Sequence, residues 1–186
     1  VTMLMVSNRI KLGVVTGHIP LKDVPAQITK EHILSKLRLM KQSLIEDFSL
    51  QDPIIGVLSL NPHSGDGGLL GTEEQEIIIP AIKEANEEGI RVFGPFSPDG
   101  YFGLGTYQKF DATLAMYHDQ GHIPFKVVGF NWDKETGKMS TAKGVNITLG
   151  LPIIRVSVDH GTAFDVAGKG VASPDAMLLS IDYATK

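Results

Sequence analysis

The stretch Ile54-Ile-Gly-Val-Leu-Ser-Leu60 is a short apolar run that ends at an Asn-Pro pair. Apolar runs of this length, closed by turn residues, predict buried strands. Residues 73–88 then form a helical pattern with acidic residues in its first turn, Thr72 as a candidate N-cap and Gly89 as its stop. A second apolar run, 91–93, follows directly. Strands that alternate with helices of this length predict an α/β fold with a largely parallel sheet flanked by helices.

The same alternation extends outward in both directions. All the predicted strands together are 9–16, 54–60, 91–93, 112–117, 145–148 and 153–158. Thr29 is a candidate N-cap for a helix over 30–48, whose apolar residues recur at three- and four-residue spacing. Ser173-Pro174-Asp175 opens a third helix that runs to the end of the chain. Residues 131–143 are polar without periodicity, which predicts an exposed loop or a short hairpin arm.

Composition restricts the classes of function. The chain has 186 residues, a net charge of −4 and no cysteine, so disulfides are excluded and a nucleic-acid partner is disfavoured, because phosphate backbones require a basic surface. No apolar run is long enough to cross a bilayer. These features suit a cytoplasmic enzyme. The first residues resemble the interior of a longer sequence, so we expect a fragment.

Histidines follow four of the predicted strands within a few residues: His18, His63, His118 and His160. Ligands of open α/β sheets bind at the carboxyl ends of the strands, so these imidazoles are candidates for one site. Three of them, His18, His63 and His118, would suffice to hold a divalent metal and leave positions for substrate. The alternative is that each ring hydrogen-bonds to loop backbone. His32 is predicted to be a surface residue, and His122 fits either role.

Carboxylates accompany these histidines, again in segments that follow strands: Asp66, Asp99, Asp119 and Asp159. Aspartate is common in turns, where its side chain caps local backbone groups, and that explanation serves Asp66 at least as well as a functional one. Asp119 directly follows His118, so it is a candidate to orient that imidazole.

Five motifs now become recognisable, and they cover nearly the whole chain: Thr16-Gly-His-Ile-Pro-Leu21, Leu60-Asn-Pro-His-Ser-Gly-Asp-Gly-Gly68, Met116-Tyr-His-Asp-Gln-Gly121, Gly144-Val-Asn-Ile-Thr-Leu-Gly-Leu-Pro152 and Arg155-Val-Ser-Val-Asp-His-Gly-Thr-Ala163. In content and order they resemble the 4-hydroxythreonine-4-phosphate dehydrogenase family. The resemblance implies an isocitrate/isopropylmalate dehydrogenase-like fold and a homodimer with active sites between its subunits. It also implies that the N-terminal part of the family fold, with a substrate-binding His-Thr pair, is missing here.

The resemblance assigns roles to particular residues. The metal-ligand histidines fall on His18, His63 and His118, shared between two subunits. The substrate-binding residues fall on Lys126, Asn146 and Arg155, with Asp99 as a further acidic position near the metal, and Asp119 and Lys126 are candidates for the general base. The segment 159–170 also resembles the adenosine-binding loop of isopropylmalate dehydrogenases, which makes its members candidate cofactor-binding residues: His160, Gly161, Thr162, Ala163 and Asp165.

The implied reaction is oxidation of 4-phosphooxy-L-threonine by NAD or NADP, followed by decarboxylation to 3-amino-2-oxopropyl phosphate in vitamin B6 synthesis. It requires a divalent metal such as Zn, Mg, Mn or Co. The residues 1–150 would carry the metal and substrate motifs, and 151–186 the cofactor loop and terminal helix. A paralogous dehydrogenase for 4-phospho-threonate or 4-phospho-erythronate and an inactive truncated module are the alternatives. Residues 131–143 form an apparent insertion between the substrate motifs.

Overall fold

The chain folds into strands and helices that alternate along most of its length. The computed structural model describes residues 1–129, 132–133, 138–139, 144–159, 161–162 and 164–185. The strands are β1 (Thr2–Val6), β2 (Lys11–Val14), β3 (Ile54–Leu58), β4 (Arg91–Phe96), β5 (Ala112–Ala115), β6 (Trp132–Asp133), β7 (Lys138–Met139), β8 (Val145–Leu149) and β9 (Val156–Val158). The α-helices are α1 (Val24–Gln27), α2 (Lys30–Glu46), α3 (Ile79–Glu87), α4 (Pro98–Gly103), α5 (His118–Gly129) and α6 (Asp175–Thr185).

Seven of these strands form one sheet, in the order β4-β3-β5-β2-β1-β8-β9. Strands β4, β3, β5 and β2 are mutually parallel, and β1 is antiparallel to both of its neighbours. Strand β8 therefore points the same way as β2, whereas β9 is antiparallel to β8. The prediction of a largely parallel sheet is confirmed, with β1 and β9 as the reversed strands.

Helices cover both faces of the sheet. On one face, α2 buries Ile33, Leu37, Met40 and Leu44 completely against the sheet and α3. Each such side chain contributes about 1.5–3 kcal/mol through the apolar area that it removes from water. On the opposite face, Phe125 of α5 and Tyr101 of α4 pack against a second cluster built on β1 and β2. The two clusters make a three-layer α/β structure.

Several elements were absent from the sequence prediction, among them α1, α4, β1 and α5, and the last two have clear reasons. Strand β1 lies between β2 and β8 and is buried on both faces, so its apolar run has no alternation to reveal it. Helix α5 contains Gly121 and Pro124, which are both poor helix formers. As a result His118 and Asp119, expected in a loop, are instead the first residues of a helix.

The helix caps were predicted with mixed success. Thr29 is the N-cap of α2, and its hydroxyl accepts a hydrogen bond from the backbone N–H of His32 at 3.2 Å. The cap predicted at Thr72 is wrong, because the second helix begins with a π-helical turn, Glu74–Ile78, whose N-cap position is Glu73 and makes no side-chain capping bond. Ser173 accepts a hydrogen bond from Asp175 N at 3.2 Å and opens α6 as predicted.

The segment 131–143 is described only at β6 and β7, and the rest of it lies outside the described residues. These two short strands pair antiparallel, Trp132 opposite Met139, which favours the hairpin arm over a plain loop. Strands β8 and β9 continue the main sheet, so the regions 1–150 and 151–186 share it. The division of motifs between those regions stays a prediction.

Candidate functional site

Two of the predicted metal-ligand histidines meet at the carboxyl edge of the parallel strands. His18 follows β2 and His118 follows β5, and these strands are neighbours in the sheet. The centroids of the two imidazole rings lie 5.3 Å apart. The sequence prediction that both histidines share one edge agrees with this geometry.

The ring of His118 is oriented by a carboxylate. Its Nδ1 donates a hydrogen bond to Asp119 Oδ1 at 2.7 Å, which leaves Nε2 with the free lone pair in the neutral ring. This is the usual second partner of a metal-binding histidine, because the carboxylate fixes the tautomer and makes the ring a better donor to a cation. Asp119 is largely exposed and His118 partly so. The pair can therefore reach a ligand from solvent.

His122 lies directly beneath this pair on α5. Its ring stacks on that of His118, with centroids 3.9 Å apart and planes within 6°. Its Nδ1 donates to the backbone oxygen of His118 at 2.9 Å. Burial lowers the pKa of His122, and the charges of His118, Lys126 and His18 lower it further, although the hydrogen bond to His118 opposes this. His122 thus binds a proton less readily than a free imidazole, and its ring packs against that of His118.

A set of polar contacts, none of them predicted from the sequence, ties the strand ends at this edge together. The hydroxyl of Thr16 donates to Met116 O at 2.9 Å and so joins the end of β2 to the end of β5. Gln120 accepts from Met116 N and donates to Ser59 O, both at 2.7 Å, which joins β5 to the end of β3. The only available signal was the presence of these polar residues beside the histidine motifs.

His63 lies apart from the His18–His118 pair. It follows β3 in a turn, 63–67, in which every residue has a positive φ, including His63 itself at 51°. Its charge helps to lower the pKa of Asp99, although hydrogen bonds to that carboxylate from the Ser97 hydroxyl and from Gly100 N act more strongly. Within the described part of the chain, no three His, Asp or Glu side chains come close enough to hold a metal together.

The described residues at this edge fit a divalent metal in part. An exposed and a partly exposed imidazole lie at one edge, and a carboxylate holds the Nδ1 of the second; both are suitable donors for Zn or another borderline divalent ion. His18 and His118 are the residues that would hold it from this copy of the chain. Asp66 lies in the left-handed turn and is exposed, which agrees with the turn role considered for it.

The predicted substrate residues spread over a wider area. Arg155 precedes β9 and lies at the same edge as the histidines, where its guanidinium donates to Thr148 Oγ1 at 2.6 Å. Lys126 is exposed on α5, two turns beyond His118. Asn146 lies on β8 beside Met5, and its Oδ1 is buried without a hydrogen-bond partner among the described residues. A buried amide oxygen of this kind suits a donor brought in by a ligand.

The strand pairing places the start of the segment after β9, at Asp159, at the other edge of the sheet. Because β9 is antiparallel to β8, Val158 lies opposite Val145, at the amino end of β8. The segment after β9 therefore leaves the sheet at the edge opposite His18 and His118, and Asp159 lies there beside Gly144. His160 and Ala163 lie outside the described residues. Gly161 and Thr162 are exposed, and Asp165 belongs to a 3-10 turn, Phe164–Val166.

The fold and the site together define a class. The chain is an α/β protein whose imidazoles and cationic side chain lie at the carboxyl edge of a largely parallel sheet, where such folds bind small ligands. Residues 1–184 match the family model described as pyridoxal phosphate biosynthetic protein PdxA. The chain therefore belongs to this family.

Individual relatives agree with the assignment. A 4-hydroxythreonine-4-phosphate dehydrogenase from Bacteroides thetaiotaomicron is 50% identical over 98% of this chain and 47% of its own length. A Bradyrhizobium diazoefficiens protein, provisionally named a D-threonate 4-phosphate dehydrogenase, is 45% identical over 99% of this chain and 53% of its own. The crystal structure of the Klebsiella pneumoniae 4-hydroxythreonine-4-phosphate dehydrogenase has a TM-score of 0.81 at 36% identity, and covers 99% of this chain and 53% of that one.

The chain spans about half the length of the relatives that it matches. Among the described residues, no helix has the length and apolar character required to traverse a membrane.

Proposed function

We propose that this chain contributes to the oxidation of a phosphorylated hydroxy acid, 4-phosphooxy-L-threonine, by NAD or NADP, with decarboxylation to 3-amino-2-oxopropyl phosphate. The observation that carries the proposal is the His18–His118 pair at the carboxyl edge, in a chain that belongs to the PdxA family. The name of the Bacteroides relative supports this substrate. A cytoplasmic setting is part of the same proposal.

In this proposal His18 and His118 hold a divalent cation (Zn, Mg, Mn or Co), and Asp119 keeps His118 Nε2 turned toward it. When bound, such a metal polarises the substrate hydroxyl as a Lewis acid and makes its proton easier to remove. His63 completes the ligand set from a second copy of the chain in a homodimer. Its exposed position on the turn after β3 supports this role.

Arg155, Lys126 and Asn146 bind the phosphate and carboxylate groups of the substrate. The position of Arg155 supports this binding role most strongly, because one of its N–H groups donates to Thr148 Oγ1 at the sheet edge where the histidines lie. The planar guanidinium has further N–H donors for an oxyanion, with which it forms paired bonds. Asp99 contributes an acidic group near His63. Asp119 and Lys126 are the candidates for moving the hydroxyl proton.

The loop that would hold the adenosine end of the nicotinamide cofactor is formed by His160, Gly161, Thr162, Ala163 and Asp165, and the cofactor would supply the hydride acceptor. A glycine in such a loop lets backbone groups approach the ligand closely. The exposure of Gly161 and Thr162 supports an accessible loop.

A second candidate substrate is D-threonate 4-phosphate. The 45% identity to the Bradyrhizobium protein, over nearly the whole of this chain, favours it specifically. The two substrates differ in the group next to the oxidised carbon, an amine in one and a hydroxyl in the other, so substrate profiling separates them.

The test measures metal binding and turnover in the same protein. Calorimetry with Zn²⁺ or Co²⁺ should give binding that His118→Asn abolishes and that His32→Asn, a change at an exposed helical histidine, leaves intact. Formation of reduced nicotinamide is then followed with each substrate. Binding that survives His118→Asn would refute the metal site, and metal binding without turnover of either substrate would favour a non-catalytic module.

A further inference from the structure

The turn that carries His63 has an unusual backbone. Residues 63–67 all have positive φ, and three of them, His63, Ser64 and Asp66, carry side chains, with φ of 51°, 52° and 43°. Each residue with a Cβ in this left-handed region is strained, because the Cβ crowds the following carbonyl oxygen. A turn of this kind persists only where contacts outside it fix its position.

Most of the contacts come from one buried carboxylate, that of Glu74, which is 1% exposed. Its Oε1 accepts hydrogen bonds from the backbone N–H groups of Leu60 and Asn61, both at 2.8 Å. Its Oε2 accepts from Asn61 Nδ2 at 3.0 Å. Asn61 Nδ2 also donates to Glu73 Oε2 at 2.7 Å, and Ser64 Oγ donates to Pro95 O at 3.4 Å. Leu60 and Asn61 lead directly into the turn, so Glu74 holds its entrance by three bonds.

Gly65, in the middle of the turn, also lies close to the Glu74 carboxylate. A Cβ placed on Gly65 would lie 2.7 Å from Glu74 Oε2 and 2.8 Å from Gly71 O, so only glycine allows the turn to approach this closely. Leu70 N donates to Gly65 O at 3.0 Å and closes the loop over Glu74. No ion pair formed by the described residues includes Glu74. Three N–H donors therefore stabilise its charge, and charged acceptors make bonds about twice as strong as neutral ones.

We propose that Glu74 is the positioning residue for the His63 turn: its buried carboxylate fixes the entrance of the turn and thereby the place from which the His63 imidazole projects. That the turn is positioned for metal binding rests on the proposed function. Glu74 itself lies beneath the turn and touches neither substrate nor metal in this proposal.

The test compares Glu74→Gln with Glu76→Gln, which removes the same charge from an exposed position two residues away. Glutamine keeps an acceptor for the two backbone N–H groups but turns a donor toward Asn61 Nδ2. Hydrogen exchange of the metal-free protein should become about tenfold faster at residues 60–70 in Glu74→Gln, as expected for the loss of one hydrogen bond. Zn²⁺ affinity should fall roughly 10- to 100-fold, the usual effect of losing a residue that orients a ligand. Both quantities should be unchanged in Glu76→Gln.

The hydrogen-exchange and Zn²⁺-binding measurements test this inference and the proposed function separately. Exchange at 60–70 that stays at the wild-type rate in Glu74→Gln overturns the positioning role, whatever the metal does. If His63→Asn binds Zn²⁺ as wild type does, the ligand role of His63 fails, and the exchange arm alone decides the positioning role. Should Glu74→Gln not fold, Asn61→Ala removes the bonds from Asn61 Nδ2 to both Glu74 and Glu73, and Glu73→Gln, which disturbs only the second of them, is its control. Exchange at 60–70 that is no faster in Asn61→Ala than in Glu73→Gln overturns the inference as well.

Discussion

Replacement of Gln120 by methionine should destabilise the protein by about 2–4 kcal/mol. The Gln120 side chain accepts from Met116 N and donates to Ser59 O, both at 2.7 Å, and Met116 and Ser59 are completely buried. Methionine has nearly the same length but neither a matching acceptor nor a donor, so both backbone groups lose their partner. Each unsatisfied buried group costs about 1–3 kcal/mol. We use the lower half of that range, because the neighbouring histidines lie at an edge of the sheet that is open to water.

The assay is urea unfolding followed by circular dichroism, with Gln42→Met as the control. Gln42 is exposed on α2, and its side chain bonds to Glu46 one helical turn away, so its replacement should change the free energy of unfolding by less than about 0.5 kcal/mol. Gln120→Glu keeps an acceptor for Met116 N but places a carboxylate oxygen against Ser59 O, and should destabilise as well. The reasoning is refuted if Gln120→Met unfolds at the same urea concentration as Gln42→Met.

Two further changes test the packing on the opposite face of the sheet from α2. Gly121→Ala should destabilise by about 1–2 kcal/mol in the same assay, because its Cβ would collide with the Leu12 side chain, and that overpacking outweighs the gain in helix propensity of about 1 kcal/mol; a stabilised variant would contradict the close approach. Burial raises the pKa of Tyr101 to about 12. The folded state therefore holds this proton more tightly than the unfolded state, so stability should fall as pH rises from about 10 to 12, by on the order of 2 kcal/mol. Tyr101→Phe should lose that part of the pH dependence, and an identical profile in both proteins would count against it.

The parts of the fold that local chemistry determines were predictable. Helix α2 combines an N-cap at Thr29 with apolar residues at helical spacing, and both signals act within a few residues. Helix α5 has neither: Gly121 lies where the helix approaches β2, and Pro124 is tolerated inside it. In α5 tertiary packing outweighs helix propensity, and that packing cannot be inferred from the local sequence.

The candidate site divides in the same way. His18 and His118 follow adjacent parallel strands, so the rule that ligands bind at carboxyl ends placed them together correctly. The rule failed for the segment after β9, because the direction of β9 depends on its pairing with β8 and not on its own residues. The position of His63 depends on Glu74, a residue that the sequence pattern assigned only to the first turn of a helix.

The position of β1 bears on how the chain folds. Its pairing with β2 joins sequence neighbours, but its other edge pairs with β8, Thr2 opposite Leu149. That second edge stays open during synthesis until residues 145–149 emerge, and closing so long a loop is slow as well as entropically unfavourable. An open, apolar strand edge is a template for pairing with other chains. Nascent chains that end before β8 should therefore be the most prone to aggregate and the most dependent on chaperones.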